Sequence, residues 1–352
     1  MHEFSFDSQY DLCANIGIDW NKIENKTIMI TGATGLVGRY LIEVLLRRNR
    51  LYNAHIKIIA VTRKKETFSD RFNGVIGIEH AEVYEHDVQE PCHYDRRIDY
   101  IVHMASNTHP RLYASDPIGT EMINILGSYH LLELAAKNPD CRFVFTSSGD
   151  IYGDNRTDKE YLSEEDCGYI NCNTLRAGYI EGKRASEALC NAFHEKKGVD
   201  FVISRLCRIY GPTMNLSDSK AISQFIINAV NRENIVLKSR GLQTFSYLYV
   251  FDVITALLTV ITKGKTGEAY NIADNEQVIS LSGLAGILAE IAESKVIFDL
   301  PDALESKGAS SFQNVKLDGT KLGLLGWKAQ VGMKDGLRWT VEELRKTKNN
   351  AL

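Results

Sequence analysis

Two short motifs in this 352-residue chain carry residue types that can do chemistry together. A glycine-rich stretch, Thr31–Gly38, reads TGATGLVG and follows a short apolar run, and Tyr179 and Lys183 form a Tyr-x-x-x-Lys much later in the chain. Glycines let a turn approach the phosphates of a dinucleotide closely, and a tyrosine beside a cation can serve as a base. Together the two motifs predict a nicotinamide-dependent enzyme.

The tyrosine and the lysine are expected to act as a pair. A tyrosine hydroxyl has a pKa of about 10 and is a poor base at neutral pH, but an ammonium one helical turn away lowers that pKa. Tyr179 then takes a proton from a substrate alcohol while a hydride leaves the same carbon for the nicotinamide. The alternative is a pair on the surface of a helix. The segment Phe145–Gly153 favours catalysis, because a hydroxyl at the end of a strand can orient the alcohol and stabilise developing charge.

The glycines are spaced G-x-x-G-x-x-G between a predicted strand and a predicted helix. In that context the turn lets a pyrophosphate approach the backbone, and the N-terminus of the helix favours its negative charge. The alternative is a plain tight turn. We predict the cofactor site, and the expected contacts in the turn are Gly32, Thr34, Gly35, Leu36 and Val37, with Gly38 closing the motif.

The end of the second predicted strand bears on the choice between NAD and NADP. A carboxylate about 20 residues past the turn would accept from a ribose 2′-hydroxyl, whereas a basic residue would pair with a 2′-phosphate. Here Arg63 and Lys64 come first, and no acid stands before Glu66. A solvated basic loop is the alternative, but the pattern favours NADP. Asp87, with Val88, closes the third predicted strand where an adenine amino group could be bound, although an aspartate there is also a common turn residue.

Short apolar runs alternate with amphipathic segments of helical length over the first 210 residues. The predicted strands are Thr27–Ile30, Ile56–Val61, Ala81–Tyr84, Tyr100–Met104, Phe143–Thr146 and Phe201–Ser204. The clearest predicted helices are Leu36–Arg48, Met122–Lys137 and Tyr179–Lys196. This alternation predicts an α/β fold, a Rossmann-type doubly wound parallel sheet with helices on both faces.

Three regions follow from this pattern. Residues 1–25 carry no motif and are expected to form an N-terminal extension, and residues 26–210 the dinucleotide-binding domain. After Gly211 and Pro212 the alternation fades. Residues 211–352 are predicted to form a smaller α/β substrate-binding region at the carboxyl edge of the sheet, where such folds bind ligands, with a crossover of the chain near residues 240–270.

Composition excludes several functional classes. A net charge of -4 gives no electrostatic reason for binding nucleic acid, and the longest apolar stretch, Val253–Ile261, is too short to span a membrane. The N-terminus has no basic region before an apolar one, and the seven cysteines are scattered, so we expect free thiols in the cytoplasm. The nine histidines form no metal-binding pattern, so no metal site is expected.

With these motifs the chain resembles the extended short-chain dehydrogenase/reductases that act on nucleotide sugars, from about Lys26 to Leu344. The resemblance rests on TGATGLVG, Ser-Ser-x-x-x-Tyr-Gly and Tyr-x-x-x-Lys, and on the segments Val102–Ala105, Asp116–Gly119, Asn124–Ser128, Ile209–Pro212, Tyr249–Asp252, Ala269–Ile272 and Leu325–Trp327. Within that family, Arg176–Arg184 and Gly211–Met214 most resemble UDP-glucuronic acid decarboxylases.

The resemblance implies roles for individual residues. Ser148, Tyr179 and Lys183 would form the catalytic set, and Asp150 falls where dehydratases and decarboxylases of the family carry a carboxylate for a second step. Ala105, Tyr179 and Lys183 would also contact an NAD or NADP cofactor. The helices Met122–Lys137 and Tyr179–Lys196 are those that the family pairs into a four-helix bundle, so a homodimer is expected.

The sequence also departs from the family at three places. Gly149 and Asp150 stand where dehydratases have Asp-Glu, Arg208 replaces an asparagine, and Phe245 replaces an arginine that would bind the sugar diphosphate. Positive charge at the substrate would then come from other residues, for which the candidates are Arg208, Lys220 and Arg240.

Three outcomes of the chemistry and one non-catalytic alternative stay open at this point. The expected enzyme oxidises a nucleotide-linked sugar at C4 and uses the 4-keto intermediate for a second step. Return of the hydride to the other face of the sugar gives epimerisation, which needs the fewest catalytic groups around Gly149. A C5 carboxylate would allow decarboxylation, and a C6 leaving group would allow loss of water. The rival from another class is a non-catalytic protein that senses dinucleotides, which would have no need for Tyr179 and Lys183.

Overall fold

A computed structural model describes residues 6–108, 115–156, 158–299 and 314–350. Its central strands are β1 (Thr27–Thr31), β2 (Lys57–Thr62), β3 (Ala81–Glu85), β4 (Tyr100–His103), β5 (Arg142–Ser148), β6 (Asp200–Leu206) and β10 (Ala269–Ile272). They form one seven-stranded sheet in the order β10-β6-β5-β4-β1-β2-β3, and every pairing in it is parallel. Each of the six predicted strands is present within two residues of its predicted ends.

Helices cover both faces of this sheet, which confirms the predicted Rossmann-type α/β fold. The helices among the described residues are α1 (Phe6–Ala14), α2 (Leu36–Tyr52), α3 (Lys65–Arg71), α4 (Pro117–Ala136), α5 (Ala177–Lys197), α6 (Ala221–Val230), α7 (Val250–Lys263), α8 (Leu281–Ala292), α9 (Thr320–Gly323) and α10 (Met333–Asn350), of which α6, α8 and α10 pack on one another and on the smaller strands instead. Helix α4 starts five residues before the predicted Met122, because the Asp116 carboxylate accepts from the Gly119 amide at 2.9 Å and Pro117 suits the first turn.

The sheet is buried from both sides. Met29, Ile30, Phe143 and Phe201 are fully buried in neighbouring strands, so the side chains on both faces of β1, β5 and β6 pack against helices. Continuous apolar runs are what a parallel sheet covered on both faces requires. This explains why short β-branched and aromatic runs were sufficient to locate the strands.

A smaller sheet lies at the carboxyl end of β6. Its strands are β7 (Arg208–Tyr210), β9 (Thr244–Tyr249), β11 (Val278–Ser280) and β13 (Asn314–Val315), and a separate parallel pair is formed by β8 (Ile235–Leu237) and β12 (Val296–Phe298). Only Cys207 separates β6 from β7, so the chain passes directly from the main sheet into the smaller one. The chain later returns to the main sheet at β10, next to β6.

Residues 6–25 pack closely on the rest of the protein. Tyr10 and Cys13 are buried, the Tyr10 ring lies 4.5 Å from that of Tyr40, and the Tyr249 hydroxyl donates to Gln9 at 2.7 Å. Over the ranges that the structure describes, no helix combines the length and the apolar character that crossing a membrane demands.

Candidate active site

Most of the predicted site residues lie at the carboxyl edge of the main sheet. Strand β1 lies between β4 and β2, so the strand order reverses there and leaves a crevice at the ends of β1 and β4. The glycine turn follows β1, Arg63 follows β2, Asp87 comes shortly after β3, Ala105 follows β4, and Ser148 ends β5.

The glycine turn is shaped by close backbone contacts. Gly32 has a φ of +68°, and a Cβ there would lie 2.8 Å from the carbonyl carbon of Met104, so only glycine fits. The Gly35 amide donates to the Gly32 carbonyl at 3.0 Å, and α2 begins at the next residue. The first amides of α2, at Leu36 and Val37, have no acceptor within the helix. The turn and the helix end therefore fit a dinucleotide pyrophosphate.

A buried hydroxyl fixes the two strand ends around this crevice. The Thr31 Oγ1 accepts from the Met104 and Ala105 amides at 3.1 Å each and lies 2.8 Å from Nδ1 of His103. Since the hydroxyl already accepts twice, its own proton goes to the imidazole. Burial, with the charge of Lys183, lowers the pKa of His103 to about 3, so the ring is neutral. His103 is thus a packing residue that orients the Thr31 hydroxyl, and this hydroxyl positions Ala105.

Tyr179 lies in the first turn of α5 and is buried. Ser148 Oγ is hydrogen-bonded to its hydroxyl, and this bond lowers the pKa of Tyr179. Burial is the larger influence and holds the pKa well above its usual value, and the Asp150 carboxylate raises it further. The positive charge that lowers it belongs to Arg176. The structure therefore brings Ser148, Asp150 and Tyr179 together, with Arg176 as a neighbour that we did not predict.

Lys183 has a different environment from the expected one. Its ammonium is buried, donates to the Thr146 carbonyl at 2.8 Å and lies 4.7 Å from the centre of the Phe145 ring. Burial lowers the pKa of Lys183 to about 7, although Glu187 raises it in part. The charge that lowers the pKa of Tyr179 in the structure is that of Arg176, while the Lys183 ammonium is bonded at the end of β5, so the role of Lys183 in tuning Tyr179 stays a prediction.

The short turn after β5 positions Asp150. Its amide donates to Ser148 Oγ at 3.1 Å, and its carboxylate lies 3.7 Å from the Arg176 guanidinium. The preceding residue, Gly149, is buried, and a Cβ there would lie 2.9 Å from Leu317 Cδ1. A second carboxylate beside Asp150 therefore has no room unless Leu317 moves.

The predicted contacts to the adenosine half of the cofactor differ in exposure. Arg63 and Lys64 are exposed beyond the end of β2. The Asp87 carboxylate accepts from the Gln89 amide at 3.0 Å, so it supports a turn as well as standing at the predicted adenine position. Val88 is buried beside it.

Sequence reasoning missed a second arginine, on α3. The Arg71 guanidinium donates to the Thr34 carbonyl at 3.3 Å and to the Thr213 carbonyl at 2.5 Å, and the Thr213 hydroxyl donates to the Leu36 carbonyl at 2.9 Å. These bonds join the glycine turn to the loop after β7. No local pattern could reveal them, because the residues are far apart along the chain.

The three candidate cations for the substrate differ in their partners. Arg208 begins β7, and its guanidinium lies 3.7 Å from the centre of the Phe245 ring. Lys220 donates to Asp218 at 3.0 Å and to Thr108 at 3.2 Å, so a carboxylate already balances its charge. Arg240 is exposed. Within residues 6–108, 115–156, 158–299 and 314–350, no three His, Cys, Asp or Glu side chains group together as a metal ion would require.

Comparison with known proteins places this geometry in a family. Residues 28–273 match the NAD dependent epimerase/dehydratase family. UDP-glucuronic acid decarboxylase 1 of Xenopus tropicalis is 30% identical over 326 residues, which is 92% of this chain and 73% of that protein. UDP-glucuronic acid decarboxylase 6 of Arabidopsis thaliana is 29% identical over 326 residues, 91% of this chain and 89% of that protein.

Solved structures agree on the fold. The chain is similar to a dTDP-glucose 4,6-dehydratase from Streptomyces venezuelae with NAD bound, at a TM-score of 0.76 and 22% identity over 92% of this chain and 98% of that one. An epimerase from Methanothermobacter thermautotrophicus gives a TM-score of 0.78 at 21% identity, over 99% and 98% of the two chains. The chain therefore belongs to the NAD dependent epimerase/dehydratase family of extended short-chain dehydrogenase/reductases, and it is an enzyme of that family.

Proposed function

We propose that the protein oxidises the C4 hydroxyl of a nucleotide-diphosphate sugar, with Tyr179 as the base, and epimerises the resulting 4-keto sugar. The observation that carries this proposal is the hydrogen bond between Tyr179 and Ser148 at the end of β5. A base and a hydroxyl that share one hydrogen-bonded position can bind a substrate alcohol between them and remove its proton.

The residues divide the work as follows. Ser148 orients the C4 hydroxyl, and Tyr179 accepts its proton. A dinucleotide held at the glycine turn supplies the acceptor for the hydride that leaves C4. The positive charge of Arg176 favours the tyrosinate, and Lys183, which donates to the Thr146 carbonyl, would reach the nicotinamide ribose.

Epimerisation is the first choice because Asp150 has no second carboxylate beside it in the sequence, where Gly149 precedes it. Loss of water from the sugar uses a carboxylate pair in dehydratases that resemble this chain, and here Gly149 stands in place of one member of that pair, with Leu317 packed close to it. Rotation of the keto sugar and return of the hydride need only Tyr179 and the bound cofactor. Tyr179 then donates the proton that it took up in the first step.

Decarboxylation is the second candidate. Both relatives described above are UDP-glucuronic acid decarboxylases, and they match nearly the whole chain. A UDP-glucuronate oxidised at C4 is a β-keto acid, which can lose carbon dioxide, and Asp150 would be the carboxylate near that second step. The same 4-keto sugar precedes both outcomes, so the identity of the substrate decides between them.

Cofactor, oligomeric state and location complete the proposal. Arg63 and Lys64 support NADP, while solved neighbours of this chain have NAD bound, as in the dehydratase described above. Asp87 and Ala105 would contact the dinucleotide, and Arg208, Lys220 and Arg240 the sugar diphosphate. Exposed apolar side chains on α4 support a homodimer, and the free thiols of all seven cysteines suit the cytoplasm.

One experiment tests the proposed reaction. Purified protein is incubated with UDP-, GDP-, CDP- and dTDP-linked sugars, neutral and acidic, with NAD or NADP, and the products are separated and weighed by mass spectrometry. Epimerisation gives a product of unchanged mass and new retention time, decarboxylation a product that has lost carbon dioxide, and dehydration one that has lost water. No product with any sugar, or equal turnover by Tyr179→Phe, would contradict the proposal.

A further inference from the structure

Arg208 is a half-buried cation with no counter-charge among its described neighbours. Across residues 6–108, 115–156, 158–299 and 314–350, no acceptor hydrogen-bonds its guanidinium and no carboxylate lies within ion-pair distance. Its partner is an aromatic face, since the guanidinium carbon lies 3.7 Å from the centre of the Phe245 ring. An arginine has five N–H donors, and a stack on a ring leaves all of them available to a ligand.

The sheet fixes where this arginine lies. Leu206, at the end of β6, is paired with Ser148 of β5, and Arg208 follows two residues later. Strands lie about 4.8 Å apart and rise about 3.3 Å per residue, so the backbone of Arg208 is roughly 8 Å from that of Ser148. An arginine side chain is long enough to span this separation, so its guanidinium is within reach of a sugar held by Ser148 and Tyr179.

Phe245 holds the arginine in one orientation. In the pairing of β7 with β9, Arg208 is opposite Tyr247, and Phe245 precedes Tyr247 by two residues on the same face of β9. Phe245 is 7% exposed, and its backbone pairs with Ile279 of β11 on one side and with Val315 of β13 on the other. A buried ring on the central strand of this sheet has little freedom, so it fixes the plane of the guanidinium that covers it.

We infer that Arg208 is the residue that binds an oxyanion of the substrate, and that Phe245 is a positioning residue that acts through it. The inference rests on the proposed function, because it assigns a charged group of the nucleotide sugar to this guanidinium. A flat guanidinium binds phosphate or carboxylate oxygens with two parallel hydrogen bonds. The oxyanion is either a phosphate of the nucleotide or the carboxylate of a uronic acid, and Arg208 serves it better than Lys220, whose charge Asp218 already balances.

Calorimetry with the cofactor-loaded protein tests this assignment. The probes are UDP, UDP-glucose and UDP-glucuronate, with GDP, CDP and dTDP as alternatives for the nucleotide. Arg208→Gln should weaken binding by about tenfold or more, and Phe245→Leu by about threefold or more, whereas Phe245→Tyr keeps the ring and should bind as the wild type does. Arg97→Gln, at the opposite edge of the sheet, makes the same change of charge and should have no effect.

The choice of probe identifies the oxyanion. Equal losses for UDP and both UDP-sugars would assign Arg208 to a phosphate, and a loss confined to UDP-glucuronate would assign it to the sugar carboxylate. Either result supports the inference. Unchanged affinity of Arg208→Gln for every ligand that the wild type binds would overturn it and would leave the proposed reaction standing. A wild type that binds no nucleotide or nucleotide sugar would contradict the proposed function, and the inference with it.

A double-mutant cycle tests the role of Phe245 separately. If Phe245 acts through the arginine, Phe245→Leu should cause no further loss in the Arg208→Gln background, and additive losses would contradict the positioning role. Should Phe245→Leu fail to fold, Arg208→Lys gives a second test. It keeps the charge without the flat guanidinium, so affinity equal to that of the wild type would show that the stack has no such role.

Discussion

The Arg176 guanidinium lies 3.7 Å from the Asp150 carboxylate, and the two side chains act on Tyr179 in opposite directions. Asp150 raises the pKa of Tyr179, and Arg176 lowers it. Each side chain is partly open to solvent, at 36% and 26% exposed, so a bound substrate can change their pairing. The pKa of Tyr179, the proposed base, therefore depends on how closely the charges of Asp150 and Arg176 cancel each other.

This pair leads to a prediction about pH. Tyr179 must be deprotonated to act as a base, so its pKa determines the acidic limb of the rate profile. Arg176→Gln removes the charge that lowers this pKa and should move the limb to higher pH. Asp150→Asn removes the charge that raises it and should move the limb to lower pH. The measurement is the rate at which reduced nicotinamide forms in a single turnover, and shifts of the two limbs in the same direction would contradict this account.

Tyr179→Phe tests the base directly. The change removes only the hydroxyl, so the buried ring still packs, and we expect turnover to fall by about 10² or more. Affinity for the cofactor and the unfolding temperature should stay close to those of the wild type. Tyr52→Phe, at the exposed end of α2, is the matched control and should keep full activity.

Arg63→Ala tests the preference for NADP. Arg63 is exposed directly after β2, where a cation pairs with a ribose 2′-phosphate, so its loss should weaken NADP by about tenfold and leave NAD unchanged. Titration of both dinucleotides into both proteins gives the comparison. If the wild type binds NAD more tightly and the substitution changes neither affinity, Arg63 belongs to a solvated loop.

The buried lysine gives a prediction about stability. Burial lowers the pKa of Lys183 from 10.5 to about 7, so between these values the unfolded chain binds more protons than the folded one. The free energy of unfolding should therefore rise, through this group, as the pH increases from about 7 to about 10. Lys183→Met lacks the group. The difference in free energy of unfolding between Lys183→Met and the wild type, in favour of the variant, should therefore be largest near neutral pH and shrink at alkaline pH. Denaturant unfolding of both proteins at both pH values measures it, and a constant difference would contradict the prediction.

The homodimer is tested on the surface of α4. Leu126 and Tyr129 are 36% and 41% exposed on this helix, and burial of both against a second copy of α4 would remove apolar surface from water. Light scattering should give a dimer mass for the wild type and a monomer mass when both residues are changed to Glu. Leu324→Glu changes a residue that is 82% exposed elsewhere and should leave the dimer intact. A monomeric wild type at micromolar concentration would rule out this interface.

Local patterns were sufficient for the fold of the main sheet. Each predicted strand was a short apolar run, and a parallel sheet buried on both faces needs such runs, so the pattern and the structure share one physical cause. Strand β10 was not predicted as part of this sheet, because its pairing with β6 depends on the return of the chain after α7. The early start of α4 depended on the capping bond of Asp116 rather than on any periodicity.

The sequence by itself determined the glycine turn, the Tyr-x-x-x-Lys and the positions of the strands and helices along the chain. Spacing along the chain is enough to define a turn and one face of a helix. Only the tertiary structure decided which charges meet. Lys183 reaches the Thr146 carbonyl, Arg176 reaches Asp150, and Arg208 lies on Phe245. Each of these contacts joins separate elements, so it depends on the packing of the sheet and its helices, and no local pattern encodes it.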